Sequence, residues 1–151
     1  MSIEDRLADL GIDLPPVAKP VAAYVPAIQV GDQISTSGQL PLVSGSLPMT
    51  GLVGDQISQG DAAGQARVAA LNALAAAADV AGGVNNIRRV VRVVVYVAST
   101  ADFTAQPAVA NGASELFGEI FGDGGRHIRS AIGVASLPLG APVKVELTVQ
   151  V

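Results

Sequence analysis

Residues 61 to 99 join an alanine-rich run, "DAAGQARVAALNALAAAADV", to a β-branched one, "IRRVVRVVVYVAS", across the Gly82-Gly83 pair. No other stretch constrains the fold as much. Alanine is the strongest helix former, and Ala63, Ala66, Ala70, Leu74, Ala77 and Ala81 trace one face at helical spacing. Asp61 is the expected N-cap and the glycine pair the stop. A helix face with so little bulk can lie close against a sheet. The following run supplies a strand: Val91, Val93, Val95 and Val97 alternate with Val90, Arg92, Val94 and Tyr96, leaving one wholly apolar face.

The same economy of bulk runs through the chain. Half of its 151 residues are apolar, yet aromatics make up 3% and tryptophan is absent. This length and a mean hydropathy of +0.46 suit one domain with a real core. A core of small side chains buries little area per residue, so such a domain is expected to cover surface against copies of itself. The lack of cysteine excludes disulfides, a thiol nucleophile and thiolate metal sites. A net charge of −4 and pI near 4.7 argue against a nucleic-acid partner. The start, "MSIEDRLADLGIDLPP", is acidic and amphipathic where a secretory signal would be basic and then apolar, and no stretch is apolar enough to span a bilayer. A cytoplasmic protein with no membrane partner is expected.

Residues 3 to 10 read as a short helix ended by Gly11 and Pro15-Pro16. "AAYVPAIQVGDQISTSGQLP" reads as two extended runs around Gly31-Asp32, the first interrupted by Pro26 and so belonging at an edge. Residues 42 to 59 read as loop or short hairpin, and 106 to 121 as a second long helix. The last segment supplies two strands joined by the turn from Pro138 to Pro142. The order strand, strand, helix, strand, helix, strand, strand predicts an α+β domain of four to six strands with its helices on one face.

Arg129 raises the question of function. Alternation puts Val143, Val145, Leu147, Val149 and Val151 on one face of the final strand and Lys144, Glu146, Thr148 and Gln150 on the other. On the preceding strand, Arg129, Ala131, Gly133 and Ala135 oppose Ile128, Ser130, Ile132 and Val134. If these strands pair as a hairpin, Arg129 and Glu146 share the face that the helices leave open. Small residues there imply a close approach by another backbone or a ligand. Two readings follow: an interface ion pair with Glu146 or Asp123, or a receptor for a carboxylate, which a guanidinium fork matches bidentately. Beside a bound carboxylate, Glu146 could serve as a general base or hold a water. By alternation His127, the only histidine, shares the face of Arg129.

The stretch "RSAIGVASLPLGAPVKVEL" resembles the C-terminal signature of the Rid family, the YjgF-like reactive-intermediate (enamine/imine) deaminases formerly labelled L-PSP endoribonucleases. "YVPAIQVGDQISTSGQLP", "DAAGQARVAALNALAAAADVAG" and "VVVYVASTADF" resemble further pieces of that family, so the resemblance runs from about Tyr24 to Val151.

The resemblance implies a chorismate-mutase-like homotrimer, with a six-stranded mixed sheet, two helices on one face and clefts between subunits. It implies one YjgF-like domain over residues 1–151, with an N-terminal extension at about 1–20. The implied activity is hydrolytic: small 2-imino acids or enamines to 2-keto acids and ammonia, with no metal or organic cofactor. Carried over by position, Arg129 holds the substrate carboxylate and Glu146 positions the attacking water. Tyr24, Gly38, Ala131 and, after an insertion following Phe103, Asn111 line the pocket. Ala131 stands where many deaminases have cysteine, and "GRHIRS" replaces the usual approach to the arginine, which marks a divergent branch. The alternative is a non-catalytic trimer that binds small carboxylates such as keto acids.

Overall fold

The computed structural model describes residues 1–20 and 22–151. Eight principal elements are present: α1 (Ile3–Asp9), β1 (Ala27–Val30), β2 (Gln33–Thr36), α2 (Gln59–Ala81), β3 (Arg89–Ala98), α3 (Gln106–Phe121), β4 (Ile128–Val134) and β5 (Val143–Gln150). The strands form one sheet in the order β1-β2-β5-β3-β4, with β3 and β4 parallel and every other pair antiparallel. The helices α2 and α3 pack on one face and on each other. No helix among the described residues is long and apolar enough to cross a membrane.

The alanine-rich segment folds as its composition requires. Its N-cap is Ser58 rather than Asp61: the Ser58 hydroxyl accepts from the Asp61 N–H, and the Asp61 carboxylate sits in the first turn, where it favours the helix dipole. Gly82 closes α2 in the left-handed conformation, donating to Ala78 and Asp79. Small residues let neighbours approach α2 on several sides: Ala62, Ala66, Ala69, Ala70, Ala73, Leu74, Ala76 and Ala77 are all buried. At its crossing with α3, a Cβ added to Gly112 would run into the Ala63 carbonyl. Each valine or leucine buried beneath these helices contributes roughly 1.5–3 kcal/mol.

Among the described residues, five strands form where the resemblance implies six, and three α-helices where it implies two. The segment after β2 joins β5 only through the Gln39–Val145 bridge, because Pro41 cannot donate to a ladder. The third helix, α1, is held by a capping box between Ser2 and Asp5, by the bond from Arg6 Nε to the Glu119 carbonyl (2.8 Å), and by burial of Leu7.

The expected terminal hairpin does not form. β3 lies between β4 and β5, and α3 makes the crossover that parallel β3 and β4 need. This reverses the faces of β4. Arg129, Ala131 and Gly133 align with Val93, Val95 and Val97 on the helix side, while Ile128, Ser130 and Ile132 point to the open side. Bulk explains the choice. The Gln106 side chain lies so close over Gly133 that a Cβ there would stand 2.7 Å from its Nε2, and Ala131 packs on the core. The small residues make room for the chain's own α3. Alternation on β3 holds from Arg92 onward, but an irregularity between Val90 and Arg92 brings Val90 into the buried row.

Candidate functional site

Two separate groups of side chains emerge. The first lies between α3 and the outer strand β4. Asn111 and Ser114, three residues apart, share one face of α3. Arg129 reaches them from β4: its Nη1 donates to Asn111 Oδ1 at 2.8 Å and to Ser114 Oγ at 3.1 Å. Both Nη1 hydrogens are thereby used. The Nε–Nη2 edge has no partner among the described residues, and neither Glu146 nor Asp123 forms an ion pair with the arginine. A half-buried guanidinium with a free, planar two-donor edge matches the geometry of a carboxylate. Ala131 lies two residues further along the same row.

His127 belongs to this group, as the alternation predicted. Its Nε2 is 2.9 Å from Ser114 Oγ, its Nδ1 is 2.6 Å from the Gly125 carbonyl, and its ring meets Phe117 edge-on at 6.2 Å. Ser114 is a site residue that the sequence reading missed. The signal was available in its spacing of three from Asn111, one helical turn.

The second group is on the opposite side of the sheet. Glu146 aligns with Val94 on β3, on the face without helices. The Tyr96 hydroxyl donates to Glu146 Oε1 at 3.2 Å. Burial, then the Glu146 charge and this hydrogen bond, push the Tyr96 pKa above the usual phenol value, with Arg92 opposing. Lys144, two residues before Glu146, lies across Gly38, where an added Cβ would strike its side chain. Reciprocal backbone bonds between Gln39 and Val145, 2.8 and 2.9 Å long, pin the Ser37-Gly38-Gln39 stretch to β5. Tyr24, exposed at 46%, joins Gly38, Lys19 and Gln39 around a cleft of about 50 Å³. That space suits a water or two, not a whole imino acid.

The structure therefore brings Arg129, Asn111 and Ala131 together, and separately Tyr24, Gly38 and the side of β5 that carries Glu146. Arg129 and Glu146 do not share a face, contrary to the hairpin reading. Among the described residues no three His, Cys, Asp or Glu side chains cluster in a way that could hold a metal ion.

A βαβ crossover flanked by antiparallel strands, with two helices on one face and an arginine beneath the crossover helix, defines a class of α+β domain. A family model described as "YjgF/chorismate mutase-like, putative endoribonuclease" matches residues 4–151, and the chain belongs to that family. It is 40% identical over 146 residues to Protein TCP17 of Trypanosoma cruzi, covering 96% of this chain and 91% of that one. Among solved structures, a "putative endoribonuclease" from Shewanella oneidensis superposes with a TM-score of 0.96 at 32% identity, covering all of both chains. The protein Atu1372 from Agrobacterium tumefaciens superposes at 0.88 with 40% identity, over 99% of this chain and 92% of that one.

Proposed function

We propose that this protein is a hydrolytic deaminase of small 2-imino acids and their enamine tautomers, with each active site shared between adjacent copies of a homotrimer. The observation that carries the reading is the free Nε–Nη2 edge of Arg129, held out by Asn111 and Ser114. A 2-imino acid places its carboxylate next to its electrophilic carbon, so a bidentate clamp on the one orients the other. A neighbouring copy supplies the opposing wall: Glu146 and the cleft at Tyr24 and Gly38. Glu146 takes a proton from a water as the water oxygen bonds to C2 and the C=N pair moves to nitrogen. Glu146 returns that proton to the nitrogen, and transfer of the adduct's hydroxyl proton to the amine as the C–N bond breaks releases ammonia and leaves the 2-keto acid. The backbone at Ala131, beside Arg129, lines the pocket. No metal or organic cofactor enters this scheme.

Assembly follows from the open face of the sheet, where Ile28, Val30, Ile128 and Ile132 are exposed. In the trimer these residues cover one another, and Arg129 of one copy comes near Glu146 of the next. The same reading takes residues 1–151 as one YjgF-like domain with residues 1–20 as an N-terminal extension. Imino acids generated by an amino-acid oxidase provide the test: their decay should accelerate with wild-type protein and return to the uncatalysed rate with Arg129→Ala. No acceleration across several substrate side chains would sink the proposal.

A second reading, a trimer that binds keto acids without turnover, is favoured by the Tyr96 hydrogen bond, which occupies one oxygen of Glu146. Keto acids would then raise Tm by mass action while imine decay stayed at the background rate.

A further inference from the structure

The Arg129 guanidinium is held by more than Asn111. The chain of contacts behind it runs from Arg129 Nη1 to Ser114 Oγ (3.1 Å), from Ser114 Oγ to His127 Nε2 (2.9 Å), and from His127 Nδ1 to the Gly125 carbonyl (2.6 Å). Donor counting assigns its direction. A carbonyl only accepts, so His127 carries its hydrogen on Nδ1, and in the neutral ring Nε2 must accept. Ser114 then donates its hydroxyl hydrogen to Nε2 and keeps an oxygen lone pair for Arg129. Every link has one donor and one acceptor, and the far end is anchored on backbone. The Phe117 ring, edge-on at 6.2 Å, limits rotation of the imidazole.

We infer that Ser114 and His127 are positioning residues for Arg129: together they fix the plane of its guanidinium so that the Nε–Nη2 edge faces the incoming carboxylate. This rests on the carboxylate reading of Arg129 and deepens it. Asn111 alone fixes one Nη1 hydrogen, and a single bond leaves the plane free to swing about it. The Ser114 bond supplies the second point. His127 orients the serine hydroxyl so that its lone pair, and not its hydrogen, meets the arginine. Neither residue touches the substrate.

His127 is the only histidine in the chain, so its ring resonances in a ¹H–¹⁵N spectrum need no assignment. At a pH where the ring is neutral, the wild-type protein should show the Nδ1–H tautomer. Ser114→Ala should move the Nε2 resonance without changing the tautomer. An Nε2–H tautomer, or an Nε2 resonance unmoved in Ser114→Ala, overturns the inference whatever the protein binds. The second arm measures pyruvate affinity by calorimetry. Loss of one link should weaken binding about 3- to 10-fold in Ser114→Ala and in His127→Phe. His127→Phe keeps the ring shape, so its loss isolates the hydrogen bonds. Ser114→Thr and His127→Gln restore a hydroxyl and an acceptor and should recover most of the affinity. Equal affinity in all four variants overturns the positioning role while leaving Arg129 as the clamp. A wild-type protein with the expected tautomer that binds no pyruvate or other 2-keto acid removes the carboxylate reading itself, and the positioning role with it.

Discussion

Arg129 and Glu146 stand on opposite faces of one sheet: Arg129 is level with Val93 and Glu146 with Val94, consecutive residues of the strand between them. The sheet backbone separates them within one chain, so a site that uses both must take them from two copies.

That relationship predicts subunit complementation. Arg129→Ala and Glu146→Gln should each be inactive on their own. Co-refolded in equal amounts, they should regain roughly a quarter of wild-type activity, since a competent site then pairs an intact arginine with the next copy's intact glutamate. A mixture as inactive as its parents would place both residues in the same half-site or remove one from catalysis.

The open face of the sheet predicts the assembly. Ile132 is 43% exposed in the single chain and lies among the apolar residues that we propose cover one another between copies. Ile132→Glu would bury an unpaired carboxylate in each copy, at a cost of several kcal/mol per charge. Light scattering at micromolar concentration should give the mass of three chains for the wild type and of one for the variant. A variant that still has the mass of three excludes this face as the interface.

Tyr96 and Glu146 predict an alkaline signature. Burial and the Glu146 carboxylate raise the Tyr96 pKa, so the folded chain favours the protonated phenol. The linked stability is complete below the ordinary phenol pKa and is lost as pH rises through the raised value, and solvent screening keeps it small. With Tyr24→Phe, Tyr96 is the only tyrosine left, and its phenolate absorbance should titrate above the midpoint of the unfolded chain. Adding Glu146→Gln should bring the midpoint back toward the ordinary value. A midpoint that ignores Glu146→Gln would mean that the hydrogen bond is absent in solution.

Two glycines of α3 predict opposite signs. Gly112→Ala drives a methyl group into the Ala63 carbonyl and should cost about 1–3 kcal/mol, as overpacking does. Gly118→Ala meets nothing within 4 Å and should stabilise the helix by about 0.5–1 kcal/mol. For a chain of this size each kcal/mol moves Tm by about 2–4 °C, so scanning calorimetry separates the pair easily. Equal shifts would mean that the two helices do not cross at Gly112.

Much of this architecture is legible in the chain. The extent of α3, the loop read over 42 to 59 except that Gln59 opens α2, the edge position of β1 and the alternation of β5 all follow from propensity, glycine and proline placement, and period. Arg129 and Glu146 are singled out by the family resemblance. The supporting shell is less so. Ser114 had only its helical-turn spacing from Asn111 to mark it, and Tyr96 is an ordinary residue until its partner is known, because a hydrogen bond across 50 positions leaves no local trace.

Alternation within a strand divides its residues into two rows, and that much the sequence determined for β4 by itself: Arg129 with Ala131 and Gly133, Ile128 with Ser130 and Ile132. Which row faces the helices was decided only in the folded molecule. Pairing β4 with β5 would have hidden the isoleucines. The crossover through α3 put β3 between them instead, and the first residue of α3 comes close enough that a Cβ on Gly133 would meet the Gln106 side chain. That strand order turned the row toward the helices, and so placed Arg129 beside Asn111 and Ser114 rather than beside Glu146.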